Sequence, residues 1–416
     1  VAGIAASRHH LVYGRRGVGK TALLLEVKRL VEERGNIAVW TNAHVIRHQD
    51  AESAFATVIN AILLSIVQRS GTSSSDAISR IESLRAELEG DGSSSLAVSR
   101  IAEINRVLRS ILRVDVLQLF VFLDDFYLLP ASVQPQLLDY IAAALRDCDG
   151  WMKIASIERL TKSFEHSSRI GLEIPHDAVK VDLDVTLEDP KSAQTFLETV
   201  LNSYTSTAGI SSHTKIAKTQ ALGRLILASG GVPRDYLNLF ATSIVVARES
   251  RSQAAEIGKE DVAGAAGRFA RSKKRDLEQD VDGAESASLL KALELLSSTV
   301  KGEKYTYFRV ELSKKSSPGY EVLARLVDLR FVHLVQSSLS DQHLAGKKYE
   351  AYIIALSEYT DVRLQRGLNV LDIEHGSWVW QLTGKAGTSK LLAGTQLRDR
   401  LRQAPILDLD TLVSTV

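Results

Sequence analysis

The first part of the chain alternates short apolar runs with longer stretches in which apolar residues recur every three or four positions. The short runs, and one strictly alternating segment, predict β-strands at residues 10–13, 36–41, 119–123, 151–157 and 179–185. The longer stretches predict helices at about 21–34, 50–69, 76–89, 96–113 and 134–146. Polar stretches at 71–75 and 90–95 predict flexible connections. Strands that alternate with helices predict a doubly wound α/β fold with a parallel sheet, which we assign to residues 1–188.

The pattern changes at Asp189-Pro190, after which only helical periods follow. Asp189 is a residue type that caps helices, and Pro190 fits a first helical turn. Helices are predicted at about 190–204, 214–229, 233–248 and 259–280. We therefore expect a separate helical domain over residues 189–282.

Residues 283–357 have a third character, in which helices are followed by two apolar strands. Helices are predicted at 284–298 and 318–329, strands at 331–335 and 349–354, and either a strand or a short helix at 305–312. This order is that of a winged helix. The C-terminal extension, 358–416, is poorly determined, and its Trp378-Val379-Trp380 is either a strand or a docking segment.

Composition narrows the class of protein. Of the 416 residues, 45% are hydrophobic and 24% are charged, as in globular proteins, and the length predicts two or three domains. The net charge of +1 excludes a strongly basic nucleic-acid coat protein but leaves room for a local DNA-binding patch. The single cysteine, Cys148, excludes an intrachain disulfide and has no companion metal ligands. No apolar run reaches about 18 residues, so we expect a cytoplasmic protein with no membrane partner.

A phosphate-binding motif links the first predicted strand to the first predicted helix. Residues 14–21 match Gly-x-x-x-x-Gly-Lys-Ser/Thr and comprise Gly14, Arg15, Arg16, Gly17, Val18, Gly19, Lys20 and Thr21, followed by Ala22 in the helix. The glycines let successive backbone N–H groups converge on anionic oxygens. Lys20 supplies a positive charge for the β- and γ-phosphates, and the Thr21 hydroxyl is a ligand for Mg²⁺. The motif therefore predicts ATP/ADP and Mg²⁺ as cofactors.

Two acids, Asp124 and Asp125, follow the third predicted strand. Ligands bind at the carboxyl ends of parallel strands, so Asp124 is predicted to hold Mg²⁺, directly or through water. Asp125 is predicted to orient or deprotonate the attacking water. Either Ser156 or Glu158, at the end of the fourth strand, could sense the γ-phosphate. Because the chain begins with Val1, about ten residues before the first strand, we expect a trimmed piece whose adenine-contacting residues lie upstream.

A further cationic candidate lies in the predicted helical domain. Residues 229–233, Ser-Gly-Gly-Val-Pro, make a tight turn into a helix, and Arg234 stands in its first turn. An arginine there is disfavoured by the helix dipole unless it has an anionic partner. That partner is either a nucleotide phosphate or the neighbouring Asp235.

On these motifs, residues 10–282 resemble the AAA+ ATPases, most closely the branch of archaeal and eukaryotic replication initiators, and they are similar also to archaeal-type STAND ATPases. The likeness lies in the phosphate loop, the two acids and the glycine turn before Arg234. It implies an ATPase with a helical lid over residues 189–282, in which Arg234 takes the position called sensor 2. Asp125 stands where most members have Glu, and the fourth strand lacks the usual Asn, so we expect slow hydrolysis.

The resemblance also implies an oligomer, either of this chain or with a partner ATPase. Sites of this family are usually completed by an arginine from the neighbouring subunit, near the end of the helix before the fifth strand. In this sequence that helix is predicted at about 161–170, with Arg169 near its end and Arg159 as the second choice. The alternative for either residue is a surface arginine.

Two functions remain open. In one, ATP orders an assembly on double-stranded DNA through the winged helix. In the other, a STAND-like signalling or defence switch releases a surface for a protein partner. The biological process, whether replication, mobile-element control or phage defence, is not determined by these motifs.

Basic residues of the second half are candidates for phosphate contact. Those of the last lid helix are either a solvated face or a phosphate-backbone contact: Arg268, Arg271, Lys273, Lys274 and Arg275. Those of the predicted winged helix are Lys314, Lys315, Lys347 and Lys348. The predicted recognition helix carries only Arg325 and Arg330, which is little for base readout.

Overall fold

The computed structural model describes residues 1–69, 75–88, 93–280, 283–342, 344–360, 366–385 and 389–413. The chain divides into two compact units, Val1–Asp184 and Val185–Val416. Residues 71–74 and 90–92 of the predicted flexible connections lie outside the described residues, as does the predicted end of the lid at 282. The domain boundaries predicted at 188, 282 and 357 stay predictions.

Helices and strands alternate along the first unit. Its strands are β1 (His9–Tyr13), β2 (Ile37–Asn42), β3 (Leu119–Asp124), β4 (Gly150–Ser156), β5 (Phe164–Glu165), β6 (Ile170–Gly171) and β7 (Ala178–Asp182). Its helices are α1 (Lys20–Glu33), α2 (Ala43–Ile46), α3 (Ala51–Arg69), α4 (Ser75–Leu88), α5 (Ser93–Ser99), α6 (Ile101–Val114) and α7 (Gln134–Leu145). The single helix predicted at 96–113 is two helices, α5 and α6. One parallel sheet has the strand order β2-β3-β4-β1-β7, which confirms the predicted doubly wound α/β fold.

Hydrophobic side chains cover both faces of the parallel sheet. β3 is buried along its whole length, which accounts for its continuous apolar run. On one face Val12 and Phe120 pack with α1, and on the other Leu11 and Val121 pack with α3, α6 and α7. Because the strands are parallel, their carboxyl ends lie at one edge of the sheet, and Asp124 ends β3 there.

α3 is a long apolar helix of the first unit. By length and composition alone, it is the one helix in the described part of the chain that could cross a membrane. Half of its most apolar window is nevertheless buried within the protein, and Phe55, Ile59 and Ile62 are fully buried. α3 therefore has the burial of a core helix.

The helix predicted at 161–170 is wrong. The chain there makes a short 3-10 turn and then the antiparallel hairpin of β5 and β6. The buried Gln134 amide binds the backbone before this hairpin: Nε2 donates to Leu160 O at 3.1 Å, and Oε1 accepts from Lys162 N–H at 2.7 Å. These bonds supply backbone partners that a helix would otherwise provide, and a turn over residues 166–169 closes the hairpin.

The second unit begins with helices and continues into strands. Its helices are α8 (Pro190–Thr207), α9 (Thr219–Ser229), α10 (Pro233–Ser250), α11 (Lys259–Asp280), α12 (Gly283–Gly302), α13 (Pro318–Asp328), α14 (Gly394–Arg402) and α15 (Asp410–Val413). Its strands are β8 (Tyr307–Glu311), β9 (Val332–Ser340), β10 (Lys348–Ile354), β11 (Asn369–Glu374), β12 (Ser377–Leu382) and β13 (Lys390–Leu391). The predicted cap of α8 is present, since the Asp189 carboxylate accepts from Ser192 N–H at 3.0 Å.

The elements from α12 to β10 have the order of a winged helix. β10 pairs antiparallel with both β8 and β9, so the strands form one three-stranded sheet. The sequence predicts either a strand or a short helix at residues 305–312. The structure has strand β8 there. α13 begins after Ser317, whose hydroxyl accepts from Tyr320 N–H at 3.3 Å. These elements agree with the predicted fold of a core, a helical region and a C-terminal winged helix.

The last segment of the chain belongs to the core of the second unit. β11, β12 and β13 form an antiparallel sheet, so residues 378–380 lie in a strand. α9 lies so close to β11 that a Cβ at Gly223 would be 1.9 Å from Ile373 O. Beside this contact the Arg224 guanidinium donates to Asp372 Oδ2 at 2.7 Å, and both side chains are buried. The described residues of the predicted C-terminal extension, 358–416, therefore pack as part of the second unit.

Candidate nucleotide-binding site

The phosphate motif forms the connection between β1 and α1. α1 begins at Lys20, after Gly19 in the left-handed backbone region (φ 104°) that favours glycine. Gly17 is also left-handed, with φ 89°. A Cβ at Gly14 would lie 2.6 Å from Val18 Cγ2, so this close approach also requires glycine. The loop thus leads into the N-terminus of a long helix, the arrangement in which backbone N–H groups bind phosphate.

The Lys20 ammonium is held against the loop backbone. Lys20 is buried, and its Nζ donates to Gly14 O at 2.7 Å and to Arg15 O at 3.2 Å. A phosphate oxygen is a stronger acceptor for an ammonium than a carbonyl oxygen, because the phosphate is charged. Lys20 is therefore positioned to exchange loop carbonyls for phosphate oxygens.

A hydroxyl and a carboxylate meet at the start of α1. Thr21 Oγ1 donates to Asp124, at 2.9 Å to Oδ2 and 3.2 Å to Oδ1. Burial raises the pKa of the Asp124 carboxyl, and the hydrogen bond from Thr21 opposes that rise. Both side chains are hard oxygen donors, which suit Mg²⁺, and such sites use one or two carboxylates with the substrate phosphates. Within the described ranges, no group of three His, Cys, Asp or Glu side chains forms a separate metal site.

Asp125 follows β3 in an uncommon backbone conformation. Its φ is 53°, in the left-handed region that few residues other than glycine adopt, although Asp is enriched among them. It precedes the 3-10 turn at Phe126–Leu128, and Leu128 N–H donates to the Asp125 carbonyl at 3.0 Å. Asp125 is partly exposed beside the buried Asp124. A partly exposed carboxylate at this edge is accessible to water, as its predicted role requires.

The two candidates for a γ-phosphate sensor lie in different surroundings. Ser156 ends β4, is fully buried, and its Oγ lies 2.5 Å from Thr161 Oγ1. Glu158 is exposed and forms an ion pair with Lys180. Register places Ser156 beside Tyr13, the last residue of β1 before the phosphate loop. The strand position therefore favours Ser156 as the sensor.

Asp184 is a site residue that the sequence analysis missed. Its Oδ1 accepts from the Arg15 backbone N–H at 2.9 Å and from Arg15 Nε at 3.2 Å. The side chain thereby holds the second residue of the phosphate loop. The sequence feature that could have indicated Asp184 is its position at the carboxyl end of the fifth predicted strand, where polar residues contact ligands in parallel sheets.

Asn42 and Tyr127 also lie close to the motif and were missed. Asn42 ends β2 in register with Asp124, and its side chain accepts from His44 N–H at 2.9 Å. The Arg16 guanidinium lies 5.6 Å from the centre of the Tyr127 ring, within cation–π range. Neither residue belongs to a recurrent phosphate motif, so only the three-dimensional arrangement reveals them.

The predicted arginines that would complete the site lie on elements other than the phosphate loop. Arg169 is exposed, with φ 57°, in the turn of the β5–β6 hairpin rather than at the end of a helix. Arg159 lies in the 3-10 turn before that hairpin. Arg234 is exposed in the first turn of α10 in the second unit, as its sequence context predicts. The neighbouring Asp235 binds a different arginine, accepting from Arg330 Nη1 at 3.1 Å.

Lysines of the predicted winged helix bind acids of their own unit. Lys315 Nζ lies 2.8 Å from Oε1 of the buried Glu350. The hydroxyls of Tyr320 and Tyr352 donate to the same carboxylate at 2.8 and 2.7 Å. Two further lysines are paired, Lys314 with Asp410 at 3.3 Å and Lys347 with Glu311 at 2.5 Å, whereas Lys348 is exposed.

Basic residues of the last lid helix, α11, also bind within the protein. Lys273 Nζ donates to Arg330 O at 3.1 Å and lies 4.9 Å from the centre of the Phe331 ring. Lys274 pairs with Glu358 at 3.1 Å, and Arg268 pairs with Glu249. Because these basic side chains already have partners within the protein, they do not all face solvent as a stripe that could bind phosphates. Arg330, predicted for the recognition helix, is mostly buried in its pair with Asp235.

The chain is similar to several solved structures at low sequence identity. The chain is similar to Cdc6p from Pyrobaculum aerophilum, with 16% identity, coverage of 84% of each chain and a TM-score of 0.40. It is similar also to Orc1 of Aeropyrum pernix in complex with DNA, with 16% identity, coverage of 85% of this chain and 86% of that chain, and a TM-score of 0.40. The Thermotoga maritima RuvB Holliday junction branch migration motor is 14% identical, with coverage of 86% and 88% and a TM-score of 0.36.

These likenesses concern the fold. The AAA+ resemblance of this chain rests on its phosphate loop, its acid pair and its glycine turn. No family model and no curated protein matches the chain. At identities of 16% or less, an activity, a substrate or a partner does not carry over from the neighbours.

Proposed function

We propose that the first unit binds Mg²⁺-ATP and hydrolyses it slowly to ADP and phosphate. The contact between Thr21 and Asp124 carries this proposal, because it joins a hydroxyl and a buried carboxylate beside the phosphate loop. The two residues are more than a hundred positions apart in sequence, yet the parallel sheet brings them within 2.9 Å. A chance glycine-rich turn would have no reason to meet a buried acid.

Each site residue has a role that follows from its position. The backbone N–H groups of the loop bind the phosphates, and Lys20 neutralises charge on the β- and γ-phosphate oxygens. Thr21 and Asp124 hold the metal. Mg²⁺ bound there would stabilise the charge that develops on the phosphate oxygens. Asp125 orients the attacking water or accepts its proton, and a carboxylate one methylene shorter than glutamate reaches less far, which supports slow turnover.

Equilibrium binding of a fluorescent ATP analogue tests this proposal. Lys20→Ala should weaken binding at least about tenfold, because a charge-assisted hydrogen bond contributes about 1.5–3 kcal/mol. Lys28→Ala is the matched control, since Lys28 lies on the same helix and is paired only with the exposed Glu32 at 2.6 Å. Equal affinities for the two variants and the wild type would overturn the proposal.

We further propose that the site is completed by an arginine from a neighbouring subunit, with Arg169 as the first candidate. Its exposure at a hairpin turn supports a contact with another chain. Specific ATPase activity should then rise with protein concentration. Arg169→Ala should lose hydrolysis while retaining ATP binding, and mixing it with Lys20→Ala should restore part of the activity. Activity independent of concentration, with no rescue on mixing, would contradict this assembly.

The winged helix has two candidate roles, DNA binding and packing within a nucleotide-dependent switch. The ion pairs of Lys314, Lys315 and Lys347 favour the second role, because phosphate contact would have to compete with carboxylates already in place. Competition is strongest at Lys315, since its release would leave the buried Glu350 carboxylate without its cation. Salt-dependent DNA binding, compared between the wild type and a variant with Lys314, Lys315 and Lys347 replaced by Gln, distinguishes the two roles.

A further inference from the structure

A row of arginines lies on the outer face of α6. Arg106, Arg109 and Arg113 are separated by three and four residues, so they share one side of the helix. The opposite side is buried and consists of Ile104, Leu108, Ile111 and Leu112. All three arginines are exposed, and none has a hydrogen-bond or ion-pair partner among residues 1–69, 75–88, 93–280 and the later described ranges. We call these three residues the arginine row.

The acid on α6 that lies closest to the arginine row is already paired. Glu103 accepts from Arg100 Nη1 at 3.0 Å and from Arg80, and the bond from Arg80 lowers the pKa of its carboxyl. Arg100 is bound also to Glu87, at 3.2 Å. Arg80 and Arg100 therefore have carboxylate partners, whereas none is present for the arginine row among the described residues.

A fourth arginine lies beside the row, and three acids limit the patch: the partly exposed Asp115 that follows α6, and Asp147 and Asp149. Asn105 Nδ2, on α6, donates to the carbonyl of Arg146 at 2.7 Å, and the Arg146 side chain is exposed. Asp147 and Asp149 are exposed on the same loop. The positive field is thus centred on α6 and decreases toward this loop.

The row faces away from the nucleotide edge of the sheet. α6 ends shortly before β3 begins, whereas the nucleotide site lies at the far end of β3. The arginines occupy residues 106–113 of α6, toward its C-terminal end, so they lie toward the amino ends of the parallel strands. A partner bound there would leave the phosphate loop accessible.

We propose that the arginine row binds the phosphate backbone of double-stranded DNA. The guanidinium group presents a planar fork that matches phosphate oxygens, and it stays charged at any physiological pH. Over seven residues the row extends about 10 Å, and a DNA strand advances about 3.4 Å per phosphate, so the row can contact about three phosphates. This inference goes beyond the proposed ATPase and is independent of the winged helix.

The chemistry around the row favours backbone contact with a duplex. The other exposed residues between 106 and 114 of α6 are Ser110 and Val114. This face therefore offers no aromatic ring for stacking a single-stranded base. The neighbouring amide side chain, Asn105, already donates to the carbonyls of Ala144 and Arg146 rather than facing a base edge. Binding should therefore be independent of sequence and strongly dependent on salt.

Salt-dependent anisotropy with a labelled mixed-sequence duplex tests the proposal on the full chain. Replacing all three arginines with Gln should reduce the slope of log affinity against log salt by about two to three units. A second triple variant, Arg→Lys at the same positions, keeps the charge and should retain most of the slope. The matched control replaces three exposed arginines of other helices and loops: Arg34, Arg248 and Arg398.

The variants give distinct outcomes. The proposal predicts DNA binding by the wild type and the control, and a loss confined to the Gln variant of the row. It is overturned if the row and control variants bind alike, if a single strand is preferred to the duplex, or if the wild type binds no DNA at low salt. In the last case, a change in oligomer mass caused by the Gln variant would assign the row to an acidic protein surface. Retained binding of the ATP analogue shows that each variant is folded, and it separates failure here from failure of the proposed ATPase.

Discussion

The two units differ in what their predicted polar residues contact. In the first unit, Lys20 and Thr21 at the start of α1 and Asp124 at the end of β3 lie at one edge of the sheet. In the second unit, cations predicted to bind DNA phosphates are paired with nearby carboxylates, as in Lys315 with Glu350. A motif with fixed spacing encodes a backbone geometry and therefore a place for each side chain. A count of basic residues indicates only charge. In the folded protein each charged side chain pairs with an acid that lies close to it.

Replacing the second acid of the nucleotide site should have the largest effect. Asp125→Asn should reduce kcat for ATP hydrolysis by about 10²–10⁴ while ATP affinity is retained, because a group that positions water or accepts its proton contributes that much. Asp147→Asn is the control, since Asp147 is exposed and also has a positive φ, 55°. Hydrolysis at the wild-type rate in Asp125→Asn would assign the role to another residue.

Ion pairs of the second unit should differ greatly in their contribution to stability. Asp372→Ala should lower the free energy of unfolding by about 3–5 kcal/mol, because it leaves the buried Arg224 guanidinium with only the exposed Glu260 at 4.0 Å and removes a carboxylate partner of Lys259. Glu249→Ala, which removes the exposed partner of Arg268, should leave the free energy of unfolding nearly unchanged, because both side chains of this pair are exposed to water. Urea denaturation measures both. Similar losses for the two variants would contradict the difference in burial.

The first unit should lose stability in mild acid through His9. Burial lowers the pKa of His9 to about 4, and its Nδ1 accepts from Met152 N–H at 2.9 Å, which requires the neutral ring. As pH falls from 7 to 5, the unfolded chain takes up a proton that the folded chain excludes, so folding weakens by about 1–2 kcal/mol. In His9→Asn the side-chain oxygen can accept the same bond without titrating. Thermal unfolding should then depend less on pH, and an unchanged pH dependence would exclude His9 as the cause.

Neutralising paired lysines of the winged helix should have the smallest effect. Gln at Lys314, Lys315 and Lys347 should change the salt slope of DNA binding by less than one unit in total, because these ammonium groups already have carboxylate partners. DNA-binding measurements over a series of salt concentrations test this. A loss of about one unit per lysine would show that the winged helix contacts DNA and would weaken the contrast between the units.

Much of the fold could be predicted from local patterns of apolar and polar residues in the sequence. Apolar runs gave the parallel strands, and helical periods gave most helices, because burial on one or two faces dictates both. The segment at 161–170 was misassigned, since its conformation depends on the buried Gln134 amide from a distant helix. No local period encodes that contact.

The candidate site was predictable to the extent that a motif covered it. The phosphate loop and Asp124 have a fixed spacing and strand context, so their meeting could be foreseen. Asp184 and Tyr127 approach the loop through tertiary packing, and their contacts with Arg15 and Arg16 have no sequence signature. The arginine row was overlooked for the opposite reason, because three exposed arginines on a helix look ordinary until their lack of acidic partners is seen.

The central claim is that Thr21 and Asp124 together hold a divalent ion under bound nucleotide. Titration of Mn²⁺ followed by electron paramagnetic resonance, with ATP present, tests it most directly, because Mn²⁺ takes similar oxygen ligands. The wild type should bind one tight Mn²⁺ per ATP. Thr21→Val, which removes the hydroxyl and nearly preserves the shape, should bind Mn²⁺ at least about tenfold more weakly, since a ligand is lost. Unchanged Mn²⁺ affinity and stoichiometry in Thr21→Val would contradict the claim.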